Sequence, residues 1–247
     1  MAWRGSSGEG QAALGHEVER VLERLGDSTR YAEDADCEKP MHVQFSRLYS
    51  NTTRHWLNNE CASANMREML SLVIVSFYSL YEDYVLDMRL DSAEHTRVCH
   101  WSIYLDIAAR RNHSQSLFWR SILLWFGIRA HSRFDLAEAI FRAHEAFRLH
   151  HGVAPDMAEF KRTMFGRSSD HAFRRAFLDY IAADGSSGIG RASALAVINV
   201  LSFVWLPAFQ LWRRQAWNEA MDALQNGRKV ARHPITATRR YPATPHA

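Results

Sequence analysis

His131 and Asp135 stand four residues apart in Leu123 to Ile140, LLWFGIRAHSRFDLAEAI, where a nearly unbroken apolar stretch turns to carry an imidazole and a carboxylate. On a helix this spacing puts both on one face, so the carboxylate can hold the imidazole in one tautomer and orientation. Glu138 extends the strip to i, i+4, i+7. Asp83, or its neighbour Glu82, can add a further carboxylate from an earlier helix, as inward-facing side chains of helical bundles do. Imidazole and carboxylate ligands suit zinc, iron or manganese, and a water bound to such an ion is a nucleophile at neutral pH. The candidate metal ligands are therefore His131, Asp135, Glu138 and Asp83. Without a metal, His131 and Asp135 make an acid/base pair for a small-molecule substrate, and a hydrolase-like enzyme fits either version. The strip lacks the paired Glu-x-x-His motifs of di-iron carboxylate bundles. The same two residues also fit a non-catalytic binding or interaction protein, as a satisfied buried hydrogen bond pinning one helix to another. An enzyme needs the strip and Asp83 to converge on an open pocket, whereas a structural pair is sealed in the core.

Other clusters carry less chemistry. Glu94, His95, Cys99 and His100 offer two ligands on one turn with nothing nearby to complete a tetrahedral site. They read as surface and core neighbours. His144, His150 and His151 read as solvated residues near a helix C-terminus, where the dipole favours a cation. The segment DGSSGIGRAS at 184–193 has the look of a dinucleotide loop, but its glycine spacing is one residue short and no strand precedes it. It reads as a flexible linker, with Ser187 or Ser193 capping the next helix.

The elements that must position these residues are helical throughout. Leu14, Val18, Val21, Leu22 and Leu25 recur at helical spacing and Gly26 can end a first amphipathic helix. VQFSRLYSNTTRHWL, from Val43, reads as a second helix. A third spans about Ala64 to Arg89, apolar at its centre and amphipathic after it. Asp91 to Glu94 has the pattern of a capping box for a helix over roughly Ala93 to Arg110. Ser116 to Ala130 is apolar nearly all round and is expected at the centre of the bundle, with the His131 helix continuing it or restarting near Gly127. Pro155 opens a helix over MAEFKRTMF, and Asp170 to Ala183 forms another. Ala194 to Trp212 is a nineteen-residue apolar run, but Asn199, Ser202, Pro207 and Gln210 argue for a core helix, kinked or broken near Pro207, over a membrane span. No strand, hairpin or repeat signal is present. The expected fold is all-α: a single multi-helix bundle of about seven to nine helices over 11–227, a disordered stretch over 1–10 and a disordered basic tail over 228–247.

The 247 residues can bury a sizeable core, and 47% hydrophobic with 23% charged is ordinary for a globular protein. The net charge of +3 misleads, because Arg228, Lys229, Arg232, Arg239 and Arg240 lie in the acid-free tail; without those five the rest carries −2. Acids and arginines interleave through that body, so no nucleic-acid surface is expected. Cys37, Cys61 and Cys99 are odd in number and widely spaced, which suits a reducing cytoplasm over a disulfide framework. The opening MAWRGSSGEGQ lacks the basic-then-apolar order of an export signal.

GIRAHSRFDL at 127–136 resembles the G-I-N-A-H-I-N-x-D-L signature of the mainly bacterial family called domain of unknown function 5995. QFSRLYSNTTRHW at 44–56, FYSLYEDY at 77–84 and RRQAWNEAMDAL at 213–224 resemble that family's other segments, in the same order, and the resemblance covers roughly residues 15–227. Arg129 stands where the signature has Asn, and Leu80 where the second segment has Arg. The resemblance implies an all-α domain with His131, Asp135 and Asp83 as its matched polar positions, and brings no established activity.

Overall fold

The computed structural model describes residues 7–33, 40–58, 63–86, 100–111, 117–183, 188–228 and 230. They form helices, with no strand among them. These are α1 (Ser7–Glu33), α2 (Pro40–Leu57), α3 (Ala64–Tyr81), α4 (Ser102–Arg110), α5 (Leu117–Ala130), α6 (Leu136–His151), α7 (Met157–Phe165), α8 (Arg167–Ala183) and α9 (Gly188–Asn226). Two π turns interrupt them, Glu82–Leu86 after α3 and His131–Asp135 between α5 and α6. The all-α expectation holds.

Local chemistry accounts for the ends. Ser63 caps α3 by accepting from the Met66 N–H, and Asp156 caps α7 by accepting from Ala158 and Glu159. Pro155 thus precedes the cap and does not open the helix. Gly152, at φ 72°, closes α6 by donating its N–H to the Arg148 carbonyl, a left-handed position that suits glycine.

The core is one contiguous cluster. α3 packs along α6, α2 lies against α1 and α8, and α9 covers α6 and the π turn beside it. Aromatic rings fill the centre: Trp101, Tyr81, Tyr104, Phe147 and Phe160 are fully buried. Burial of one face of each helix, at about 25 cal/mol per Å² of apolar surface, is the main force holding the bundle.

Several sequence expectations need correction. Gly26 does not end α1, which runs on to Glu33. α5 is not buried all round: Phe118, Ser121 and Arg129 are exposed while Leu123, Leu124 and Ile128 face the core. α9 runs through Pro207 without a break, which removes the broken alternative there. Pro207 is exposed, so the missing N–H falls on the side where water can replace it. α9 also begins at Gly188, so the second half of the expected linker is helix and Ser193 lies inside it. Ser187, the capping box at 91–94, Glu94, His95, Cys99 and the tail beyond residue 230 lie outside the described residues. Among the described residues no helix is long and apolar enough to cross a membrane.

Candidate functional site

The site begins with a distortion of the backbone. The Leu136 N–H bonds to the His131 carbonyl five residues back, so α5 and α6 are one continuous rod with a π turn over His131–Asp135. One extra residue per turn rotates all that follows, and such bulges recur at functional sites because they re-aim side chains that a regular helix would stack elsewhere.

Asp135 is 2% exposed and accepts three N–H groups. His131 Nδ1 donates to Oδ2 at 2.9 Å, Trp101 Nε1 to the same oxygen at 3.0 Å, and His100 Nε2 to Oδ1 at 2.7 Å. Burial pushes the Asp135 carboxyl up, but the bonds from His100 and His131 outweigh it and hold the group below its ordinary range. It is therefore an ionised acceptor at neutral pH. His131 is 4% exposed, and burial drives its imidazole below the ordinary value against the opposing pull of Asp135. The ring is neutral at pH 7 with its proton on Nδ1, which leaves a lone pair on Nε2. Nε2 is buried and has no partner.

Aromatic packing fixes the ring. Phe77 stacks on it at 3.4 Å between centroids and 11° between planes, and Tyr49 meets it edge-on at 4.6 Å. Phe45, Tyr81 and Trp101 complete the enclosure. The imidazole therefore has one orientation, set by stacking on one side and by Asp135 on the other.

His131 also belongs to the wall of a cavity of about 40 Å³, whose other lining comes from α2, α3, α5, α6, α8, α9 and Ser132 of the same π turn. By the rule of about 10–15 Å³ per water, that is room for a few non-hydrogen atoms. Tyr49, Trp56 and Arg213 line the same space, and like His131 each carries a buried polar atom without a partner: Tyr49 Oη, Trp56 Nε1 and Arg213 Nε. Buried polar groups are paired in the great majority of cases, and here four polar atoms without a hydrogen-bond partner belong to residues that line one cavity. Arg213 is otherwise held by Asp170, by Ser169 Oγ at 2.9 Å and by the Met164 carbonyl at 3.1 Å, with its guanidinium over Phe209.

The structure brings His131 and Asp135 together and does not bring Glu138 or Asp83 to them. Glu138 accepts from Arg142 at 2.9 Å one turn along α6, and Asp83 is exposed on the first π turn. Among the described residues these four do not present ligand atoms close enough to share an ion. The π turn over His131–Asp135 takes Glu138 off the regular i, i+4, i+7 strip, and three N–H donors already occupy Asp135.

Sequence reasoning missed His100 and Trp101 as partners of Asp135, since nothing local links positions 100 and 135. It also passed over Arg213, although a cation in line with Phe209, Ala216, Trp217 and Ala220 on an apolar face was a visible signal. The segments singled out for their motifs do meet at the cavity: Phe45, Leu48, Tyr49 and Thr53, then Phe77, Ile128, His131 and Leu136, and Arg213 all line it. No family model, no curated protein and no solved structure matches the chain.

Proposed function

We propose that this chain is a small-molecule enzyme of the acid/base, hydrolase-like type, in which His131 Nε2 accepts a proton from a water or hydroxyl held in the cavity. The observation that carries this reading is the division of labour on one ring: Nδ1 is committed to a locked carboxylate while Nε2 is left buried, neutral and unpaired. A base held by an orienter is the recurring arrangement for proton abstraction. Tyr49 Oη, Trp56 Nε1 and Arg213 Nε supply donors, so the substrate is compact, largely apolar and oxygen-bearing. The donor set favours this metal-free chemistry at His131, because Asp135 has spent its oxygens on hydrogen bonds.

The near-complete burial of the pair and the small cavity favour a second reading, a binding protein in which His131 only accepts a hydrogen bond. His131→Gln separates the two. It keeps a polar side chain of similar length and removes the base. In an NMR turnover screen of the smallest esters and amides, the enzyme reading expects the variant to fold and lose about 10²–10⁴-fold in rate. Equal turnover by wild type and His131→Gln refutes it. Binding without turnover, accompanied by a shift of the His131 imidazole resonances, selects the second reading.

A further inference from the structure

The start of α3 and the end of α6 assemble three metal-ligating side chains that the cavity does not use. Glu68 is 6% exposed, an acid on the apolar face that carries Met66, Met69 and Leu70. Its Oε1 receives His150 Nδ1 at 3.0 Å and His151 Nε2 at 2.9 Å. The two histidines are not the freely solvated helix-end residues their position suggested: their side chains are only 17% and 25% exposed, and Phe147 packs against the His151 ring at 4.2 Å. Glu68 Oε2 is buried with no partner at all.

We infer that Glu68, His150 and His151 form a binding site for a divalent transition cation of the zinc(II) type. The three ligand atoms lie within 4.8 Å of one another. A cation about 2.0–2.2 Å from each atom needs them roughly 3.0–3.4 Å apart, so the observed spacing of the carboxylate oxygen from each nitrogen opens by only a few tenths of an ångström. Two imidazoles in the set select zinc, iron, cobalt or nickel over magnesium and calcium, which take oxygen ligands. The unpaired Oε2 is the independent sign of a missing positive partner, since a carboxylate oxygen removed from water is costly to leave unmatched, and a carboxylate that shares the ion between both of its oxygens matches it. The location adds to the attraction: the last carbonyls of α6 carry the negative end of the helix dipole. Binding places the ring proton of His150 on Nε2 and that of His151 on Nδ1, so that each coordinating nitrogen offers its lone pair. Water completes the coordination from the exposed side. The ion then clasps the beginning of α3 to the end of α6. This site stands apart from His131 and does not depend on the role proposed for it.

The test uses the full-length untagged protein, stripped with chelator and titrated with cobalt(II) by visible absorption and with zinc(II) by calorimetry. One equivalent of each is expected, competing for the same site and raising the melting temperature. Glu68→Gln and His151→Ala are each expected to weaken binding beyond the roughly 10–100-fold that loss of an outer-shell partner costs, while His16→Ala on the exposed face of α1 leaves it unchanged. His151→Ala removes a partly exposed ring and keeps the test readable if Glu68→Gln does not fold. Absence of a stoichiometric site in the wild type, or a site that survives both substitutions, overturns the inference.

Discussion

Asp135→Asn is the substitution that most sharply tests how the candidate site is built. Trp101 Nε1 can only donate, and it shares Oδ2 with His131 Nδ1, so the amide oxygen of an asparagine is forced to the Oδ2 position. The amide nitrogen then faces His100, whose Nε2 must change from donor to acceptor by a tautomer shift. All three hydrogen bonds survive in neutral form. Charge-assisted bonds are worth about 1.5–3 kcal/mol against about 0.5–1.5 for neutral ones, but a buried charge is no longer desolvated, so the net loss is about 1–2 kcal/mol. Asp135→Ala strands three donors in the core and costs about 3–5 kcal/mol, the usual penalty for removing one partner of a buried charged network. At about 2–4 °C per kcal/mol for a domain of this size, the alanine variant melts roughly 6–20 °C lower and the asparagine variant by only a few degrees. Thermal melting by circular dichroism gives the stabilities. Long-range nitrogen–proton NMR of the imidazoles gives the tautomers: His131 keeps its proton on Nδ1 in Asp135→Asn, while His100 moves its proton to Nδ1. An alanine variant within about 1 kcal/mol of wild type, or an asparagine variant as damaged as alanine, refutes the reasoning.

Acid weakens the fold in two windows. His131 is held below 6.5, so the unfolded chain takes up a proton that the folded ring refuses, and stability falls as pH drops from about 6.5 toward the folded value. Asp135, held below 3.8, adds a second loss of the same sign at lower pH. Urea titrations between pH 7 and 5 are expected to lose up to about 1.4 kcal/mol per pH unit on account of His131, and His131→Gln to lack that part; identical slopes would disprove the assignment. Gly127→Ala brings a Cβ to 2.6 Å from Phe45 Cδ2 and 3.1 Å from Tyr104 Cδ2, and the Phe45 ring, confined by Tyr81, Trp101 and His131, cannot swing away. Overpacking of about 1–3 kcal/mol outweighs the roughly 1 kcal/mol gained in helix propensity. Gly15→Ala, with nothing within 4 Å in α1, is expected to stabilise by about 0.5–1 kcal/mol in the same melts, and equal effects at the two positions would contradict the packing described.

Periodicity made the helices legible because one-sided burial is written into apolar residues three and four apart, and Leu14, Val18, Val21 and Leu25 are all buried as that pattern requires. The pair His131 and Asp135 was legible for the same reason, since helix geometry alone brings i and i+4 together. What periodicity cannot encode is the partner across space. His100 and Trp101 reach Asp135 from 34 to 35 positions away, and His150 and His151 reach Glu68 from more than 80. The π turn was also hidden, because its cost is local and its return is tertiary: it re-aims residues that meet only in the assembled bundle.

These cases share one signal. Glu68, His131, Asp135 and Arg213 are each an ionisable residue on an otherwise apolar helical face, and each is buried at 6% exposure or less. Such residues are costly to bury unpaired, so their presence on the inward stripe implies a partner even when the sequence cannot name it. The pairing within the fold is incomplete in three of the four: Nε2 of His131, Nε of Arg213 and Oε2 of Glu68 are left over, whereas Asp135 has partners for both of its oxygens. The leftover atoms divide by chemistry. Around the cavity they are donors and a neutral base, which calls for an oxygen-bearing molecule. At the end of α6 the leftover atom is a carboxylate oxygen beside two imidazoles, which calls for a cation.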